Sequence, residues 1–262
     1  YSYSGGLHGV GASVVNALSK WLTVDSYRDW EHWQMRFESI WDNKEKKIRS
    51  GHPAGPLEKV GNTRKRGTLV RFLPDDTVFE DVTWNGEVIA RRLRELAYLN
   101  KGAKIIFTDE RAAAPDNQPQ VFQYTGGLSD YVIYLNQDKT PIHPTPIDFE
   151  ASKDGVLLAL AMQYTDAYTE SVFSYVNNIP TAEGGTHETG LRAALTKALN
   201  DYARKIGVLK EKDPGLAGED YREGLTAVLS VKVMNPQFEG QTKGRLGNTE
   251  VRPLVEALTL QK

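Results

Sequence analysis

The sequence predicts an α+β protein built from two domains that meet near residues 120–126, and three observations carry that reading. Apolar residues recur at a helical period in some stretches and at a strand period in others. Both kinds of stretch occur in each half, without the regular alternation that would signal a wound parallel sheet. Between the halves, residues 112–120 read Ala-Ala-Ala-Pro-Asp-Asn-Gln-Pro-Gln, a run of turn formers without a bulky apolar side chain.

Taken in order, the chain opens on glycines, after which Val10, Val14, Val15, Leu18, Trp21 and Leu22 recur at helical spacing. Residues 22–28 and 32–38 alternate around Asp29-Trp30-Glu31 and predict a β-hairpin. The charged, Gly- and Pro-containing stretch 42–56 predicts an exposed loop. Residues 67–73 predict a buried strand closed by Pro74. An amphipathic helix is expected over 84–99 through Val88, Ile89, Leu93, Leu96 and Leu99, with Gly102 as its stop. A strand over 104–108 follows it. Beyond the linker, 128–135 predicts a helix, Pro141, Pro144 and Pro146 punctuate a loop, and 156–163 and 171–176 read as strands. A long helix over 186–206, a strand over 225–233 and a last helix over 250–260 complete the chain.

Composition bounds the function. With 40% hydrophobic and 25% charged residues over 262 positions, the chain has the profile of a water-soluble globular protein, expected in the cytoplasm. No apolar run approaches the roughly 20 residues of a membrane-crossing helix, and no charged region leads into an apolar one as in a secretion signal. No membrane partner is therefore expected. The absence of cysteine excludes disulfides and thiolate metal sites. A net charge of −2 gives no global basic field for nucleic acid, so contact with DNA must come from a local patch. A functional loop rarely stands unsupported at a natural terminus, and the glycines begin almost at once, so the chain is expected to start within a longer protein.

Gly5-Gly6-Leu7-His8-Gly9-Val10-Gly11 runs straight into the first helix. Glycine lets backbone N–H groups approach a ligand closely, and a helix start adds unpaired N–H groups and a positive dipole end, which together suit an anion such as a triphosphate. The alternative is a tight turn that only begins a helix. The run is neither a Walker loop, since no Lys-Ser or Lys-Thr follows, nor a clean dinucleotide fingerprint.

Longer segments decide between these readings. Residues 1–11, Tyr-Ser-Tyr-Ser-Gly-Gly-Leu-His-Gly-Val-Gly, with Ser13-Val14-Val15-Asn16-Ala17-Leu18-Ser19, resemble the nucleotide-lid motif of the gyrase B and topoisomerase IV family of type IIA DNA topoisomerases. Collinear matches follow at Arg66-Gly67-Thr68-Leu69-Val70-Arg71-Phe72, at 92–100, at Lys139-Thr140-Pro141-Ile142-His143, at Asn177-Asn178-Ile179-Pro180-Thr181, at Glu183-Gly184-Gly185-Thr186-His187 and at Gln241-Thr242-Lys243. The resemblance implies a partial GHKL-type (Bergerat) ATPase α/β sandwich over 1–125, from the lid onward, and a ribosomal protein S5-like transducer domain over 126–262. It implies ATP binding by Tyr1, Gly5, Gly6, Leu7, His8, Gly9, Val10, Gly11 and Thr68, with Tyr1 near the sugar or base. Arg28 would edge the adjoining aminocoumarin inhibitor pocket. Gln241 and Lys243 would reach the γ-phosphate from the transducer domain as the catalytic pair of this chain.

The same resemblance implies ATP and Mg2+ as the parent protein's cofactors. The family's general base, magnesium-binding Asn and adenine-reading Asp precede the lid, so none of these roles falls on a residue here and no metal ligand is assigned. Expected partners are DNA, the gyrase A subunit in an A2B2 complex, and a second copy through the ATPase region. The B subunit of topoisomerase IV is the alternative within the family. A non-catalytic transducer or interaction module is the alternative outside enzymology, and the 177–179 and 183–187 blocks argue against a mismatch-repair MutL protein.

Among remaining residues, Lys197 and Arg204 lie about 20° apart around the long helix and are the candidate DNA-facing pair, against an ordinary solvated helix face. Thr186 is expected to N-cap that helix and His187 to be a packing residue. His32, His52 and His143 lack metal-ligand spacing, and Asp75-Asp76 suits a turn.

Overall fold

The structure is a computed structural model that describes residues 3–4, 10–111 and 117–262. By packing, the chain divides into two compact units, His8–Asn85 and Gly86–Lys262, with Tyr1–Leu7 assigned to the second.

The first unit contains α1 (Val10–Ala17), β1 (Ser19–Arg28), β2 (Glu31–Asp42), β3 (Lys47–Pro53), β4 (Glu58–Asn62) and β5 (Gly67–Pro74). They form one sheet in the order β3-β2-β1-β5, with β4 also paired to β2. Helix α1 is shorter than the apolar spacing predicts. Its last bond joins the Leu18 N–H to the Val14 carbonyl at 3.0 Å, and the Ser19 hydroxyl donates to the Val15 carbonyl at 2.6 Å. Trp21 and Leu22 therefore belong to β1. The predicted hairpin is present, turning on Asp29 and Trp30 at φ 54° and 67°. Such a two-residue turn needs positive φ at both positions to match the twist of its strands.

Two further expectations fail in this unit. The stretch 42–56 is exposed, but it is not a loop, because β3 lies within it. The Asp42 carboxylate accepts from the Lys44 and Glu45 backbone N–H groups at 2.8 and 3.1 Å, which turns the chain so that Trp41 pairs with Ile48. Charged residues hid the alternation. Strand β5 was expected to be buried, yet it lies at the sheet edge beside β1, and Leu69, Val70, Phe72 and Leu73 are 40–52% exposed. On the sheet, the buried Asp25 carboxylate contacts Gln34 at 2.7 Å, His32 at 2.8 Å and Arg71 at 3.0 Å. Burial pushes its pKa up, but these partners outweigh that and hold it below the usual carboxylate value.

The second unit contains α2 (Gly86–Leu99), β6 (Ile105–Phe107), β7 (Gln120–Phe122), α3 (Leu128–Leu135), β8 (Ile147–Lys153), β9 (Val156–Tyr164), β10 (Ser171–Val176), β11 (Ile179–Pro180), α4 (Thr186–Lys205), α5 (Gly218–Arg222), β12 (Leu225–Lys232) and α6 (Val251–Leu260). The main sheet has the order β11-β10-β12-β9-β8, with β10 and β12 parallel and the other pairs antiparallel. Leu158, Leu160, Leu229 and Val231 on one face pack with Leu191 and Leu195 of α4 and Val255 and Leu258 of α6. Ala161 and Val228 on the other face pack with Tyr131 and Val132 of α3 and Tyr98 of α2. Buried on both faces, β12 reads as a nearly continuous apolar run rather than an alternation.

Residues 112–116 of the predicted linker lie outside the described residues. Its end enters β7, which pairs with β6. The division by packing falls at Gly86, because Tyr98 and Leu99 of α2 share a core with α3 and the main sheet. Tyr98 stacks on Tyr124 and Tyr131 with ring centroids 3.7 and 4.7 Å apart, joining α2 to that core. Among the described residues, no helix is long and apolar enough to cross a membrane.

Helices α4 and α6 meet at Gly190, where an added Cβ would stand 2.5 Å from the Arg252 carbonyl oxygen and 3.2 Å from Val255 Cβ. In Gly190→Ala the gain in helix propensity, up to about 1 kcal/mol, opposes an overpacking cost of about 1–3 kcal/mol. The obstacle is backbone and cannot rotate away, so urea unfolding should show a net loss of stability.

Candidate functional site

Strand β12 leads into the segment carrying Gln241 and Lys243. Phe238 and Leu246 pair antiparallel, the Glu239 N–H donates to the Arg245 carbonyl at 2.9 Å, and the Gly247 N–H donates to the Gln237 carbonyl at 2.7 Å. These bonds close a narrow loop with Gln241 and Lys243 at its tip. Gly240 at φ 83° and Lys243 at φ 59° make the reversal. Gln241 is exposed and Lys243 half-buried.

The base of that loop is held by backbone. Gly185 pairs parallel with Leu246, the Leu246 N–H donates to Gly184 at 3.2 Å, the Thr186 N–H donates to Leu246 at 3.1 Å, and the Glu183 N–H donates to Gly244 at 2.9 Å. Gly185, at φ 142°, has no room for a side chain, since a Cβ would lie 2.6 Å from the Leu246 N and O atoms. Below the loop, Asn248 is buried and uses its side-chain oxygen for the Gln237 N–H at 2.6 Å and its side-chain nitrogen for the Asn235 carbonyl at 3.2 Å. In the sequence the two glycines are legible only as part of a matching motif, and Asn248 not at all. An Asn two residues after a buried leucine carries no signal until the loop is closed.

His187 begins the first turn of α4 and is fully buried, its Nε2 3.0 Å from the Thr181 hydroxyl. Burial lowers its pKa from 6.5 to about 4 and keeps the ring neutral. The packing role expected from sequence holds. The expected Thr186 cap does not: Gly185 occupies the N-cap without a side-chain bond, and Thr186 is already helical. The position that precedes the helix is taken by the glycine that must approach Leu246.

The other predicted residues distribute as follows. Tyr1, Gly5, Gly6, Leu7, His8 and Gly9 lie outside the described residues. Val10 and Gly11 open α1 and are exposed. Thr68 pairs with Ser26 across β5 and β1, and Arg28 lies two residues farther along the same strand as Ser26. The twofold period of a strand puts Thr68 and Arg28 on one face at one end of that sheet. Arg28 is highly exposed, 3.3 Å from Asp29. On α4, Lys197 is exposed, whereas Arg204 is half-buried and donates to the Asp213 carbonyl at 3.5 Å. Arg192 is neutralised by Glu170 and Glu188 at 3.1 and 2.7 Å. Asp75 makes the expected turn, its carboxylate accepting from the Thr77 N–H and hydroxyl at 2.9 and 2.7 Å. Among the described residues, no group of three or more His, Asp or Glu side chains is placed to hold a metal ion.

The buried imidazole makes a pH prediction. With its folded pKa near 4 and its unfolded value near 6.5, the unfolded chain binds the extra proton between those limits. Stability contributed by neutral His187 is complete above pH 6.5 and is lost as pH falls toward 4, on the order of 3 kcal/mol in all. Urea midpoints of the chain measured across that window should fall, and His187→Gln should flatten the slope.

Known proteins resemble this chain along its whole length. The family model described as DNA gyrase B matches residues 127–262. The B subunit of DNA topoisomerase 4 from Enterococcus faecalis is 51% identical over 259 residues, which is 98% of this chain and 36% of that protein. The B subunit of DNA gyrase from Clostridium acetobutylicum is 48% identical over 263 residues, covering 100% of this chain and 39% of that one. The chain thus spans little more than a third of these two curated relatives. The 43K ATPase domain of Thermus thermophilus gyrase B, solved in complex with an aminocoumarin, superposes with a TM-score of 0.79 at 36% identity, covering 99% of this chain and 67% of that one. The fold is therefore the mixed α/β architecture of the GHKL ATPase region shared by gyrase B and topoisomerase IV. With its C-terminal half matched by the family model and its whole length aligned to these relatives, the chain belongs to the DNA gyrase B family.

Proposed function

We propose that this chain is part of the ATP-operated clamp of a type IIA DNA topoisomerase, with DNA gyrase B as the leading reading. The observation that carries it is the loop tip bearing Gln241 and Lys243, held at its base by Gly184, Gly185 and Leu246. Residues 1–125 would form the C-terminal part of the ATPase domain and 126–262 the transducer. The glycine run from Gly5 to Gly11 would offer backbone N–H donors to the triphosphate, with Tyr1 and Thr68 at the nucleoside and Arg28 at the edge of the aminocoumarin pocket. Magnesium would be bound outside the residues described here, and no step is assigned to it.

Charge explains the role of Lys243. Phosphoryl transfer spreads negative charge over the γ-phosphate oxygens, and a positioned ammonium stabilises that charge more in the transition state than before it. Gln241 would orient the same group by hydrogen bonding. Departure of the γ-phosphate removes the ammonium's partner, so the loop's position, and with it the transducer, depends on nucleotide state. A loop with a rigid base transmits such a change to α4 and the main sheet; a floppy one would absorb it. DNA, the gyrase A subunit and a second copy are the proposed partners, Lys197 and Arg204 the proposed DNA-facing pair, and the cytoplasm the proposed location.

The E. faecalis relative supports a second reading, the B subunit of topoisomerase IV. The two separate in an assay of the complete protein with its A partner: gyrase introduces negative supercoils into relaxed plasmid with ATP, whereas topoisomerase IV decatenates without doing so.

In the complete protein, Lys243→Ala should lower the ATPase kcat by roughly 100-fold or more, the scale for losing one transition-state donor. An unchanged kcat would remove the proposed role. The 262-residue chain alone should bind nucleotide weakly and show no steady-state hydrolysis. Turnover by the purified chain, lost on Lys243→Ala, would overturn that expectation.

A further inference from the structure

Asn177 joins two stretches that lie far apart in sequence. It is 8% exposed and, at φ 50°, forms with Asn178 the turn between β10 and β11. Its Nδ2 donates to the Ser4 carbonyl at 2.7 Å and to the Val233 carbonyl at 2.8 Å, while its Oδ1 accepts from the Val233 backbone N–H at 2.8 Å. Ser4 immediately precedes the glycine run. Val233 immediately follows β12 and begins the path to Gln241 and Lys243. Both amide hydrogens and the carbonyl oxygen of one buried side chain are thus committed to these two stretches.

The turn is braced from its other side. Asn178 donates to the Asn100 side-chain oxygen at 3.0 Å, and its carbonyl accepts from Arg92 at 2.9 Å. A two-residue hairpin turn needs positive φ and nothing more from its side chains, so the geometry of the turn does not account for the bonds that Asn177 makes beyond it.

We infer that Asn177 is a positioning residue of the nucleotide site, seating Ser4 and the exit of β12 with one amide so that neither shifts without disturbing the other. The role of the two stretches in nucleotide binding rests on the function proposed above; the joint between them rests on the three bonds alone. Moving Val233 leaves buried polar groups unpaired, which is costlier than the net worth of the bonds, whereas Ser4 lies at the exposed end of the joint.

Two substitutions test the joint. Asn177→Gly removes the amide and keeps a residue that accepts positive φ, and Asn177→Asp keeps an acceptor for Val233 while removing both donors. In the nucleotide-free chain, Asn177→Gly should quicken deuterium uptake at the Val233 amide roughly tenfold or more and move the 13C resonance of the Ser4 carbonyl upfield, with uptake in β9 and α4 unchanged. Asn177→Asp should move the Ser4 carbonyl resonance while the Val233 amide stays protected. A change at only one of the two positions in the Gly variant, at neither, or equally faster uptake across β9 and α4 overturns the inference. The link to nucleotide is read from the ratio of the ADP Kd to that of a non-hydrolysable ATP analogue. Lys243→Ala and Asn177→Gly should each lower it, and the double variant should lower it no further. A ratio lowered by Lys243→Ala and untouched by Asn177→Gly also overturns the positioning role. A ratio unmoved by Lys243→Ala instead defeats the nucleotide reading, and the exchange result then judges the joint by itself.

Discussion

The constraint on which the second unit depends is the burial of β12 on both faces. A strand in that position must be apolar along its length and must have a layer of helices on each side. Its parallel neighbour β10 then needs a long crossover, which α4 supplies. The chain reaches that crossover through the Asn177-Asn178 turn and the Gly184-Gly185 pair, so both lie at the end of the sheet where β12 leaves it. Hydrogen bonds from Asn177 hold Val233 there, and the two glycines hold Leu246 on the return. The same backbone path that closes the sheet therefore fixes the base of the loop.

Three buried neutral side chains contribute to the anchoring of this region, beside charged ones such as Arg92 on the Asn178 carbonyl. Asn177 and His187 are buried and spend their hydrogen bonds on backbone and on a neutral hydroxyl, while buried Asn248 bonds both backbone and the Glu250 carboxylate. An ion pair there would carry a desolvation cost that its attraction need not repay. Arg192 pairs with the half-buried Glu170 and Glu188 beside the same helix.

Secondary structure was most legible where a side chain's neighbours are local. Helices α3 and α6, strand β10 and the β1–β2 hairpin follow from period and turn chemistry, and Asp29-Trp30 turns where alternation breaks. Strand β3 is illegible because its charged residues hide the period, and the end of α1 is obscured because Trp21 and Leu22 fit a helical spacing while serving a strand. The exposure of β5 is hidden for a different reason. An apolar strand looks the same at an edge as at a centre, and only the sheet order distinguishes them.

The sequence by itself determined the family and the mixed α/β class, and it singled out Gln241 and Lys243, because collinear motifs survive without coordinates. It determined equally that no disulfide or thiolate metal site exists, since composition alone excludes them. Only the tertiary structure decided which groups hold the loop that carries those two residues. Asn177 and Val233 are 56 residues apart and Gly185 and Leu246 farther still, and no local period encodes a bond between positions that meet only after the sheet has closed.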